Sequence, residues 1–224
     1  MVIVEIDNRP SKSSNAIGHV QEVLGEHQAP GMEIDIALRN YEIPFEWSDA
    51  IVNMAKRLDP EVAEKDKLDR VDLRNLPLVT IDGEDSRDFD DAVYCERSGE
   101  GWRLLVAIAD VAHYVEIESP LDKQATVRGT SVYFPDRVVP MLPDRLSGDL
   151  CSLHEGVERP CLAVEMILDA KGNKLKHRFV RGYMRSHASL NYVEVQAAFD
   201  GAPNEKTAPF LDDVIRPLFA AYEA

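Results

Sequence analysis

The sequence predicts an α+β (mixed α/β) fold: part of a small β-barrel first, then a mixed sheet with flanking helices. Two patterns predict it. The first forty residues hold short alternating stretches cut by Pro, Ser and Gly. From residue 34 apolar residues recur at helical spacing, and beyond residue 76 strand-length apolar runs alternate with helical ones. Composition supports a folded chain, since 45% of the 224 residues are hydrophobic and Gly (12) and Pro (13) are near ordinary usage. A body of this size buries roughly 70% of the surface its unfolded chain exposes, enough for a core.

Val2, Val4 and Ile6 alternate with other residues as in a strand. Residues 9–15 form a Pro/Ser/Asn loop, and residues 18–25 a short strand between glycines. An isolated hairpin is marginal in water, so these strands need a partner sheet. Ile34, Leu38 and Tyr41 then sit at helical spacing. Ser48 can cap a helix from residue 49 to about 65 with Ile51, Met54, Ala55 and Leu58 on one face; Pro60 should interrupt it or end its first part. Residues 76–81 read as a strand with Pro near its start. Residues 92–96 and 102–108, joined by a Gly-containing turn, predict an antiparallel pair. A helix over 121–128 starts after Ser119-Pro120 and stops at Gly129. Strands follow over 161–168 and 174–183, then helices over 193–199 and 209–223.

The 40 acidic residues outnumber the 25 basic ones, giving a formal charge of −15. This excludes a uniformly basic nucleic-acid binder. A local basic stretch, Lys171, Lys174, Lys176, Arg178, Arg181 and Arg185, is hidden in that total, and the acidic excess is greatest in residues 77–150. The longest apolar run is far short of the roughly 20 residues a membrane helix needs, so no membrane partner is expected. The N-terminus has acidic residues where a secretory signal needs a basic and then apolar run, so no secretory address is expected. Cys95, Cys151 and Cys161 are odd in number and lack a Cys-x-x-Cys pair, so free thiols in a reducing, cytoplasmic setting are expected, with no disulfide. The Cys151, His154, Cys161 spacing matches no common zinc site.

The segment from Asp82 to Asp91 holds six acids in ten positions, between two apolar strands. Carboxylates so close repel one another unless a cation offsets them, and hard divalent cations prefer oxygen ligands. On extended chain with Phe89 packed inward, Asp88 and Asp90 share the opposite face about 6.6 Å apart. Asp82 ends the preceding strand, and Gly83 allows a sharp turn toward the same point. Asp91 joins only if the strand ends or bulges there. An EF-hand is discounted, because counting from Asp82 puts Arg87 and Val93 where Gly and Glu are needed. A solvated acidic loop is the plain alternative; a Mg²⁺ or Mn²⁺ site that handles phosphates is the sharper one.

The string D-L-R-N-L-P-L-V-T-I-D-G-E-D-S-R-D-F-D-D-A-V (72–93) resembles the opening signature of the catalytic (RNB) domain of the ribonuclease II/ribonuclease R exoribonucleases. W-R-L-L-V-A-I-A-D-V-A-H-Y-V, R-G-T-S-V-Y-F-P, V-V-P-M-L-P-D-R-L-S and L-C-S-L resemble successive segments of that domain, in order. Residues 1 to about 40 resemble the end of a cold-shock-type OB domain, 41–75 would be a helical linker, and 76–224 the N-terminal part of the RNB domain. The resemblance implies a Mg²⁺-dependent hydrolase that degrades single-stranded RNA from its 3′ end to 5′ mononucleotides. Asp82, Asp88, Asp90 and Asp91 match the four active-site aspartates. By the same resemblance, Asp90 matches the one on which cleavage depends most, and the others match residues that are chiefly metal ligands. Tyr133 matches an aromatic that stacks on bases, although its Tyr-Phe setting also suits a core residue. Arg87 would be a structural counter-ion and His113 a satisfied core histidine. The family's phosphate-contacting arginine and second stacking aromatic are not found before Ala224, so the chain is expected to be a weakly active or inactive portion of such an enzyme. Two other classes compete: a DEDD-type or other two-metal phosphoesterase using Asp82 and Glu84, and a non-catalytic RNA- or metal-binding module.

Overall fold

The computed structural model describes residues 1–224, which form two compact units: 1–47 with 124–141, and 48–123 with 142–224. In the first, β1 (Val2–Asn8) and β2 (Ile17–Val23) make an antiparallel hairpin with Val2 opposite Val23 and Glu5 opposite His19. Its valines and isoleucines are largely exposed, and no third strand joins the pair. Helix α1 (Met32–Asn40) buries Met32 and Leu38, while its Arg39 pairs with Glu22 of β2 and lies 4.9 Å from the Phe45 ring. The guanidinium of Arg128 sits 3.5 Å over Trp47 and donates to the carbonyls of Pro44 and Glu46, tying distant segments of this unit together.

The second unit is built on a seven-stranded mixed sheet. Its members are β3 (Val71–Asp72), β4 (Val79–Asp82), β5 (Asp91–Ser98), β6 (Gly101–Ala109), β9 (Glu158–Leu168), β10 (Lys174–Arg185) and β11 (Ala188–Asn191). Their order is β11-β4-β5-β6-β9-β10-β3; the two outermost pairs are parallel and the rest antiparallel. Leu105, Ala107 and Ala109 on β6 are buried and alternate with more exposed Leu104, Val106 and Ile108, as a one-sided sheet requires. Gly101 is forced by close packing, because a Cβ there would lie 2.0 Å from the Leu168 carbonyl oxygen. Helices α5 (Tyr192–Phe199) and α6 (Arg216–Glu223) lie against the sheet, their Phe199 and Phe219 rings stacked at 3.9 Å. The chain crosses between units within α4 (Pro120–Arg128), which Gly129 ends at φ 74°. The remaining strands, β7 (Val132–Tyr133) and β8 (Val138–Val139), pair in the first unit.

Three expectations change. The Ser48-capped helix, α2 (Asp49–Lys56), stops well before residue 65; Pro60 disfavours helical backbone at Asp59, and a separate turn, α3 (Glu64–Lys67), follows. The single helix over 209–223 is instead a 3₁₀ turn, a π turn and α6, because Pro209 and Pro217 each remove a backbone donor. The strand expected from residue 76 begins at Val79, after a tight turn in which Leu78 N–H reaches the Leu76 carbonyl. No helix is long and apolar enough to cross a membrane.

Candidate active site

β4 and β5 pair only at Val79 and Val93, so they diverge toward Asp82 at the end of β4 and Asp91 at the start of β5. The acidic segment crosses this gap. Asp82 is fixed at both carboxylate oxygens: Oδ1 accepts the Gly83 N–H and Oδ2 the Ser86 hydroxyl, each at 2.7 Å. A Gly83–Ser86 turn reverses the chain. Residues 86–90 are neither helix nor strand, so Asp88 and Asp90 do not share a strand face as the sequence suggests. The strand begins at Asp91.

The loop is also held by a segment distant in sequence. Phe89 N–H donates to Ser152 Oγ at 2.9 Å, its carbonyl accepts Leu153 N–H at 2.8 Å, and its ring meets His154 edge-on at 5.9 Å. The Asp90 carbonyl accepts Ala109 N–H at 2.9 Å. Asp88 and Asp90 therefore flank an anchored residue.

Asp90 and Asp91 reach solvent, yet protein still displaces part of their hydration. This raises the pKa of Asp90, and the charges of Asp88, Asp91 and Asp82 raise it further; Asp91 is raised by the same desolvation and then by Asp82. The charges of Asp82, Asp88 and Asp91 are thus felt at Asp90, and that of Asp82 at Asp91. The donor set of the four aspartates, all carboxylate oxygen, fits a hard divalent cation. In this structure no three of them converge as metal ligands, so no coordination geometry is assigned.

Glu84, Asp85 and Arg87 are exposed, and Arg87 forms no ion pair; the expected counter-ion role is replaced by extension into water. Tyr133 lies in the first unit, opposite Val138 and 70% exposed, which overturns its reading as a core residue: a two-residue strand leaves its ring outside. His113 is half-buried, edge-on to Tyr114, and desolvation lowers its pKa. Cys151 and Cys161 are buried and free, with thiols pushed up to about 12 chiefly by burial; His154 Nε2 pairs with the Gly148 carbonyl. Sequence reasoning missed Ser152 and Leu153 as anchors of the acidic segment. Their Leu-Cys-Ser-Leu string was visible, but its contact spans more than sixty residues.

A family model described as the RNB domain matches residues 70–224, and one described as a cold shock domain matches residues 1–48. Ribonuclease R of Escherichia coli (strain K12) is 50% identical over 214 residues, covering 94% of this chain and 26% of the relative. Ribonuclease R of Vibrio parahaemolyticus is 52% identical over 202 residues, covering 90% of this chain and 24% of that one. The chain therefore spans about a quarter of the length of these relatives. Mycoplasma genitalium RNase R in complex with double-stranded RNA superposes with a TM-score of 0.93 at 30% identity, over 99% of this chain and 40% of the other. The acidic segment and its anchor both lie inside the RNB match, which takes in well over half of the sequence, and the chain belongs to the RNB domain family.

Proposed function

We propose that this chain contributes the metal-binding aspartates of a hydrolytic exoribonuclease that uses Mg²⁺, or Mn²⁺ in its place, to remove 5′ mononucleotides from the 3′ end of single-stranded RNA. The observation that carries the proposal is the placement of Asp82 at the end of β4 and Asp91 at the start of β5, with Asp88 and Asp90 on the segment between these diverging strands, within the RNB match. Asp82, Asp88, Asp90 and Asp91 would hold the cation, Asp90 being the residue on which cleavage depends most. Bound Mg²⁺ would supply Lewis-acid activation of water and stabilisation of charge on phosphate oxygen. Asp82, fixed by Gly83 and Ser86, and Asp90, next to anchored Phe89, present carboxylates at low reorganisation cost. Exposed Tyr133 offers a stacking face, and stacking tolerates any base because every base has a π face. Three free, buried thiols suit a reducing, cytoplasmic setting.

The test is a hybrid in which this chain replaces the matched segment of Escherichia coli ribonuclease R. Asp90→Asn should lower turnover by about 100-fold or more, an effect of the size seen when a charge-stabilising group is removed; Glu84→Gln should lower it less than about threefold. Loss with Glu84→Gln and retention with Asp90→Asn would favour an Asp82/Glu84 phosphoesterase site instead.

A further inference from the structure

The segment that carries Asp88 and Asp90 has no regular structure of its own, so something outside it must fix the direction of these side chains. Phe89 supplies the connection, because both of its backbone polar groups are taken by consecutive residues: N–H by the Ser152 hydroxyl and carbonyl by Leu153 N–H. Fixing both groups restrains the backbone dihedrals between Asp88 and Asp90. Ser152 is fully buried. Its carbonyl accepts Arg159 Nε at 3.2 Å; Arg159, 4% exposed, also donates to Asp149 at 2.8 Å and to the Pro60 carbonyl at 3.2 Å. The backbone that carries the hydroxyl meeting Phe89 is therefore held by a buried arginine whose ion pair with Asp149 is part-buried.

We infer that Ser152, braced by Arg159, is a positioning residue that aims Asp88 and Asp90 at a shared divalent cation. The inference rests on the metal reading of the aspartate cluster. Ser152 does not touch the cation; it acts through the Phe89 peptide, as outer-shell partners orient metal ligands elsewhere. Ser152→Ala leaves the Phe89 N–H without its acceptor, and Ser152→Cys, although bulkier, keeps an acceptor atom at that place but only a weak one.

Two readouts separate positioning from simple support of the fold. The first is Mn²⁺ binding to this 224-residue chain, followed by electron paramagnetic resonance; the second is the Mg²⁺ concentration for half-maximal activity of the hybrid enzyme. Both variants should weaken Mn²⁺ binding and raise the Mg²⁺ requirement, Ser152→Ala by about tenfold and Ser152→Cys by less, within the 10–100-fold range of outer-shell losses. RNA affinity in chelator should stay unchanged. Ser152→Cys keeps the test decisive if Ser152→Ala does not fold. Wild-type Mn²⁺ affinity and Mg²⁺ requirement in a folded variant would overturn the inference, even with a lower Tm. Failure of the underlying metal reading looks different: the unsubstituted chain would not bind Mn²⁺ more tightly than Asp90→Asn.

Discussion

Asp90 takes up a proton more readily than an isolated aspartate, because partial desolvation and then Asp88, Asp91 and Asp82 oppose its charge. A carboxyl whose folded pKa is raised loses stability as pH climbs from its ordinary value through the raised one, so ionised Asp90 costs the metal-free fold. Asp90→Asn should raise the Tm of the metal-free chain at pH 7 by no more than a few degrees while it removes activity in the hybrid; calorimetry in chelator checks this, and an unchanged or lower Tm counts against a strained cluster. Tyr133→Ala should weaken RNA binding by roughly 5- to 150-fold, the equivalent of about 1–3 kcal/mol of lost stacking per base, and Tyr133→Phe should retain it. The sequence displays the acids, their order and the Phe among them. It does not display Ser152, since a hydroxyl inside an apolar string carries no mark of which distant peptide it meets.

At the scale of elements, strands were legible where apolar alternation was long, as in β5, β6, β9 and β10. Helix ends were legible where capping chemistry was local: Ser48 accepts the Ile51 N–H, and Gly129 takes a left-handed backbone after α4. Proline effects were underestimated, and apolar periodicity ran on past Lys56 and across Pro217 where backbone hydrogen bonding could not. The loop containing Asp88 was read as extended for the same reason; period says nothing about anchoring by Ser152. Close backbone approach was also invisible. Gly101→Ala should destabilise the second unit by about 2 kcal/mol or more, since the β6–β9 register must shift to clear the Leu168 carbonyl; chemical denaturation measures this, and a change below about 0.5 kcal/mol would mean the strand end relaxes freely.

For the whole molecule, net charge alone argued against a basic RNA binder, whereas the fold distributes that charge unevenly. Part of it is internally compensated. Glu158 is held down at about 2, first by Arg74 and then by Lys67 and Arg185 after a desolvation cost, so its ion pairs join β3, β9 and β10 with their flanking segments. Because this folded pKa is depressed, its stabilisation is present above the ordinary glutamate value near 4.5 and is lost as pH falls from there toward 2. Glu158→Gln should flatten acid unfolding over that window, read by circular dichroism. The aspartate group between β4 and β5 is the opposite case, uncompensated by any neighbouring cation and placed where two strands separate.

That contrast supports the proposal that the uncompensated group serves metal-dependent RNA hydrolysis. Its most direct test follows 5′-labelled and 3′-labelled single-stranded RNA in parallel through degradation by the hybrid enzyme in Mg²⁺. The expected result is immediate release of the 3′ label as a 5′ mononucleotide, stepwise shortening of the 5′-labelled strand, and neither event with Asp90→Asn or in chelator. Internal cleavage products, mononucleotide release from the 5′ end, or undiminished degradation by Asp90→Asn would contradict it.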